Sequence, residues 1–115
     1  MALKLLPSLL MKNRILSLSS VLFLSIVAFG ADAGAGKAAY EASCKKCHGA
    51  DGAANPAIAK MLKVEMKHLG SKEVQAKSDA VLKKETIEGV GKMKGLPAVE
   101  KDVANILAYV RTLKQ

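Results

Sequence analysis

The chain is 115 residues long, half of it hydrophobic but only 3% aromatic, with 18 basic and 10 acidic side chains and a net charge of +8. That length allows one small domain and excludes a large α/β enzyme. Two cysteines exclude a disulfide-dense scaffold, and the apolar fraction excludes a disordered polyelectrolyte.

Lys4, Lys12 and Arg14 precede an uncharged run from Ile15 to Gly30, followed by Ala31-Asp32-Ala33. A basic n-region, an apolar stretch and a small-x-small site have the layout of a secretory signal peptide. The run is shorter than the roughly 20 residues a membrane span needs, and no cysteine follows it to carry a lipid. Residues 1–33 therefore read as a cleaved signal, with Gly30 as the second candidate site, and 34–115 as the domain. An uncleaved N-terminal anchor is the alternative. Loss of the signal removes both phenylalanines and leaves Tyr40 and Tyr109 as the domain's aromatics, with a net charge of +6. A domain of this size buries little surface and usually recruits a disulfide, a metal or a cofactor.

The domain reads as short helices joined by glycine- and lysine-rich loops. Lys37 to Ser43 (KAAYEAS) has helix-favouring composition. Gly49 to Pro56 (GADGAANP) is a loop. Apolar positions 58, 61, 62, 66 and 69 predict a helix from Ile58 to Leu69. Ser78 or Asp79 caps a helix running to Glu88, which Gly89 stops. Val90 to Leu96 (VGKMKGL) is a loop around one methionine. Pro97 opens a last helix to Leu113, with Val99, Val103, Ile106, Val110 and Leu113 on one stripe. No period-two alternation occurs, so the fold class is all-α.

The chemistry is concentrated in Cys44-Lys45-Lys46-Cys47-His48. A thioredoxin-like site needs a βαβ context, which is missing. A zinc site needs four ligands, and only His68 follows the motif. A Cys44–Cys47 disulfide would close too small a loop to stabilise much. C-x-x-C-H as c-type haem attachment remains: both thiols add across the two vinyl groups while His48 turns its imidazole to the iron. A buried haem would also supply the apolar bulk that the core lacks.

A sixth iron ligand could come from Met61, Met66, Met93 or His68. Met61 and Met66 fall on an apolar stripe, where methionine is usually core packing. His68 follows a lysine and lies close to Gly70, as a partly exposed surface residue would. Met93 sits in the glycine-flanked loop Gly91-Lys92-Met93-Lys94-Gly95 with no packing face, and is the favoured ligand. A thioether there raises the iron's potential.

Across residues 34–115 the chain resembles the small bacterial class I c-type cytochromes. Gly36 and Tyr40 match that family's N-terminal helix, and Ile106 and Tyr109 the C-terminal helix that crosses it. Cys44 and Cys47 match the haem-linking cysteines, His48 the proximal ligand and Met93 the distal one. Pro56 stands where the family has a proline whose carbonyl accepts the proximal imidazole's hydrogen bond. The resemblance implies short helices wrapped around one covalent haem c. Lys94 departs from the family, which usually has proline directly after the distal methionine.

Lys45, Lys46, Lys60, Lys63, Lys67, Lys92 and Lys94 cluster in sequence near the motif and the methionine loop, as charges that steer the protein onto an acidic redox partner would. No loop carries a stacking aromatic for nucleic acid, and signal cleavage leaves no segment to insert in a membrane. The reading is an exported, periplasmic one-electron carrier and not an enzyme. One alternative is a haem protein whose weak or absent distal ligand lets gas or peroxide bind, which Lys94 keeps open. Another is a subunit tethered to a larger redox complex.

Overall fold

The computed structural model describes residues 30–115, so the basic and apolar parts of the expected signal, through Phe29, lie outside the described residues. The described chain runs through α1 (Ala33–Ser43), α2 (Lys45–His48), α3 (Pro56–Leu62), α4 (Lys72–Gln75), α5 (Asp79–Glu88) and α6 (Val103–Thr112). The all-α expectation holds. The one departure is a minimal antiparallel pair inside the expected methionine loop, β1 (Gly89–Val90) and β2 (Met93–Lys94), with Val90 opposite Met93.

Helix α1 begins four residues before the expected Lys37, because Asp32 caps it. The carboxylate accepts from the N–H groups of Gly34 at 2.8 Å and Ala35 at 3.2 Å, satisfying two donors that the first turn leaves open. The Asp32 N–H in turn donates to Asn105 Oδ1 at 2.8 Å. Asp32 and Ala33 thus form the cap and first residue of α1, although both fall inside the expected signal boundary.

The first and last helices cross at Gly36. A Cβ at that position would lie 1.7 Å from the Asn105 carbonyl oxygen, so the two backbones touch. Beside the crossing, fully buried Tyr40 packs with Cys44, Val99, Ile106 and Val110, and Tyr109 borders the cluster. The expected meeting of Gly36 and Tyr40 with Ile106 and Tyr109 is present. A second cluster of Leu82, Val103 and Leu107, flanked by Val74 and Ile87, seats α5 against α6. Val103, Ile106, Leu107 and Val110 give α6 the i, i+3, i+4, i+7 stripe of a core helix.

Two expectations need correction, and one element is new. The helix predicted to reach Leu69 stops at Leu62, where Lys63 takes a left-handed conformation (φ 53°). The Val64 N–H donates to Ala59 O and the Lys63 N–H to Lys60 O. This is a Schellman closure made without the usual glycine, and it leaves Met66 and Leu69 beyond the helix. The last helix is divided: Pro97–Val99 form a 3-10 turn, and α6 begins at Val103. Helix α4 was not anticipated, being a single turn capped by Ser71. Its place is held from α6, where Arg111 donates to the carbonyls of Gln75 (2.9 Å) and Lys77 (2.7 Å) and pairs with Asp79 at 2.8 Å.

Candidate functional site

The C-x-x-C-H motif folds as one tight turn. Cys44 ends α1 and is buried in the main core, Cys47 is half-buried on α2, and both thiols are free. Burial first, and then the neighbouring Cys47, push the Cys44 thiol above its ordinary pKa, so it stays protonated. Burial pulls the His48 pKa down, which keeps the imidazole neutral, the form that ligates a metal. Its Nδ1 is sealed from solvent and has no hydrogen-bond partner.

The expected bond from that nitrogen to the Pro56 carbonyl is not formed. Pro56 is the first residue of α3, and a helix directs that carbonyl along its own axis. The segment between His48 and α3 is instead fastened to its surroundings. Gly49 adopts a positive φ, and any Cβ there would come within 2.2 Å of Ala53 O. Asn55 caps α3 through the Ala57 N–H at 3.0 Å and donates its Nδ2 to Lys46 O at 3.1 Å. Its backbone N–H donates to Cys47 O at 2.9 Å. From the helix crossing, the Tyr40 hydroxyl donates to Gly49 O at 2.6 Å and the Tyr109 hydroxyl to Ala50 O at 2.9 Å. The two rings meet edge to face with centroids 5.0 Å apart. Sequence reasoning assigned these tyrosines to helix packing and missed both hydroxyl bonds. It missed Asn55 too, although Asn-Pro ahead of an apolar run is a legible cap.

Met93 lies on β2 and is half-buried. Its surroundings are firmer than the predicted loop. A Cβ at Gly89 would lie 2.6 Å from Met93 O, and one at Gly95 would lie 2.4 Å from Ile87 O, so backbone packs on backbone on both sides of it. Lys92 Nζ donates to Leu62 O at 2.7 Å, tying the hairpin to the end of α3. Met61 is 68% exposed, which corrects its expected role in core packing: its turn of α3 faces away from both described clusters. Met66 is half-buried and outside those clusters. His68 accepts the Gly70 N–H at Nδ1 (2.8 Å), and its Nε2 lies 3.3 Å from the Gln115 amide, so both ring nitrogens have neighbours within the protein.

The lysines of interest are exposed. Lys67 pairs with Glu73 at 3.2 Å and Glu65 at 3.8 Å, and the bond to Glu73 chiefly raises its pKa. Among the described residues no three His, Cys, Asp or Glu side chains group as a metal site. Two free thiols and a neutral imidazole with a sealed and unpartnered nitrogen lie on one turn, and their chemistry suits a covalently anchored haem.

The family model for cytochrome c matches residues 33–114. The chain is also 35% identical over 89 residues to cytochrome c-554(547) of Halothiobacillus neapolitanus, an alignment covering 72% of this chain and 98% of that one. With the glycine-mediated helix crossing and the C-x-x-C-H turn, these matches lead to one conclusion: the chain belongs to the cytochrome c family, as an electron-transfer haem protein with covalently bound haem c and not an enzyme.

Proposed function

We propose that this cytochrome is an exported one-electron carrier in which Cys44 and Cys47 anchor the haem, His48 is the proximal ligand and Met93 the distal one. The observation that carries the proposal is the turn itself: two free thiols and a neutral imidazole at positions 44, 47 and 48, with Cys44 capping α2 and Cys47 and His48 on it. When bound, the haem would supply the one-electron ferric–ferrous couple; the protein's part would be to hold it through Cys44, Cys47, His48 and Met93. Met93 is favoured over Met61 because its half-buried side chain sits on a hairpin braced by Gly89 and Gly95. Met61 stands on an exposed helical turn, and His68 is engaged with Gly70 and Gln115.

Export rests on the basic–apolar–small layout of residues 1–33. Among the described residues no helix is long and apolar enough to cross a membrane. N-terminal sequencing of the secreted protein tests this: a start at Gly34 supports cleavage after Ala33, a start at Ala31 supports Gly30 and keeps the Asp32 cap, and an intact Met1 end supports the tethered subunit. The exposed lysines near the turn and the hairpin suit an acidic partner protein, an effect on association rate that salt screens.

The ligand set is tested by spectra of the purified holoprotein. Met93→Ala should abolish the far-red sulfur-to-iron band, lower the potential and admit carbon monoxide, while Met61→Ala, Met66→Ala and His68→Ala leave the spectrum intact. Loss of the band in one of those three instead would refute Met93. Rapid carbon monoxide binding by the unmutated protein would refute the closed-iron carrier. A colourless chain of bare mass after export would refute the haem reading itself.

A further inference from the structure

Four backbone carbonyls around His48 accept hydrogen bonds from outside α2. On the N-terminal side Lys46 O takes Asn55 Nδ2 and Cys47 O takes the Asn55 N–H. On the C-terminal side Gly49 O takes the Tyr40 hydroxyl and Ala50 O takes the Tyr109 hydroxyl. The imidazole has no such anchor, since its sealed Nδ1 is unpartnered. Carbonyls held on both sides fix the course of the backbone at His48 and so the direction of its Cα–Cβ bond, whereas the usual means of fixing a ligating histidine is a hydrogen bond to its second nitrogen. Here the peptide frame on both sides of the residue is held instead.

We infer that Tyr40 and Tyr109, with Asn55, are positioning residues for the His48 imidazole: their hydroxyls grip the two carbonyls after it, and so fix the direction from which the ring approaches the iron. The inference rests on the reading of His48 as the proximal ligand. The tyrosines suit the task because their bodies are locked elsewhere. Tyr40 is fully buried at the α1–α6 crossing, and Tyr109 rides on α6 with its ring against Tyr40. The α1–α6 crossing is thereby linked to the two residues after the ligand, Gly49 through Tyr40 and, over 59 positions of sequence, Ala50 through Tyr109. Gly49 makes the linkage possible: its positive φ turns the chain immediately after His48, and any Cβ would collide with Ala53 O. Tyrosine at both positions therefore has a function that phenylalanine, with the same packing, would not fulfil.

The test compares Tyr40→Phe, Tyr109→Phe and the double variant as holoproteins, with Leu82→Ala as a control. Leu82 lies in the other cluster, away from the loop, so its variant loses stability without touching the clamp. Two readouts are needed. Amide exchange at Gly49 and Asn55 should quicken about fivefold in each single Phe variant, the factor for one ordinary hydrogen bond. The hyperfine-shifted haem-methyl NMR pattern of the ferric protein, which reports the orientation of the axial imidazole plane, should be redistributed in the Phe variants and unchanged in Leu82→Ala. Unchanged methyl shifts in both Phe variants, with stability lowered, would overturn the inference and leave the hydroxyls a purely structural role. Absence of any haem-methyl signal from the unmutated protein would refute the haem reading instead, with the exchange rates still deciding whether the clamp holds the turn.

Discussion

Replacing Gly36 by alanine sets two known effects against each other, and the structure says which wins. On helix propensity alone alanine would stabilise α1 by about 1 kcal/mol. The added methyl, however, would lie 1.7 Å from Asn105 O, 2.3 Å from Asn105 C and 3.0 Å from Ile106 N. Ordinary contact requires α1 and α6 to separate by roughly 1.5–2 Å. The obstacle is helix backbone, which cannot swing aside as a side chain would. Separation also loosens Tyr40 against Ile106 and Val110. Overpacking costs typically 1–3 kcal/mol, and a backbone collision belongs at the upper end. The net loss is therefore about 2 kcal/mol for alanine and larger for valine, which for a domain of this size lowers Tm by roughly 8–16 °C. Gly34→Ala is the control, because its only close neighbour is Asp32 Oδ1 at 3.2 Å. Thermal denaturation of the holoprotein followed by circular dichroism is the assay. A Gly36→Ala protein melting at or above the wild-type temperature would show that the helices do not touch there, and the crossing would have to be redrawn.

Lys63→Gly should stabilise the protein by about 0.5–1 kcal/mol, since a left-handed lysine carries strain that glycine does not, partly offset by glycine's freedom in the unfolded chain; a higher midpoint in urea would bear this out, and a lower one would refute it. Burial, with the Cys44 thiol next, holds the Tyr40 phenol above its ordinary value near 10. A raised pKa in the folded state means that the contribution is complete below about pH 10 and declines above it, because only the unfolded chain can then release the proton. Tm measured from pH 9 to 11 should therefore fall more steeply for the wild type than for Tyr40→Phe, and equal slopes would refute the assignment.

Local patterns in the sequence carried a good part of this protein. The C-x-x-C-H turn is legible because its chemistry depends on neighbours, and α5 because Ser78 and Gly89 are a cap and a stop that act within one turn. The stripe of α6 is legible because a core helix repeats every 3.6 residues. The hydrophobic period could not show where α3 ends: Lys63 is a residue that seldom takes the left-handed conformation, so no glycine marked the stop. Nor did it show α4, one turn that exists because Arg111, 36 positions beyond Gln75, holds its carbonyl. Gly70 reads as a loop residue, yet a Cβ there would meet Leu113 O at 1.8 Å, so the fold needs glycine for a close approach to a distant strand of backbone. The tyrosine hydroxyls are the clearest case. Their ring positions follow from helix spacing, but which carbonyls they meet depends on how the turn after His48 folds back onto α1 and α6. Helical period and caps are properties of a few consecutive residues, whereas contacts between residues far apart in the chain arise only when the tertiary structure brings their backbones together.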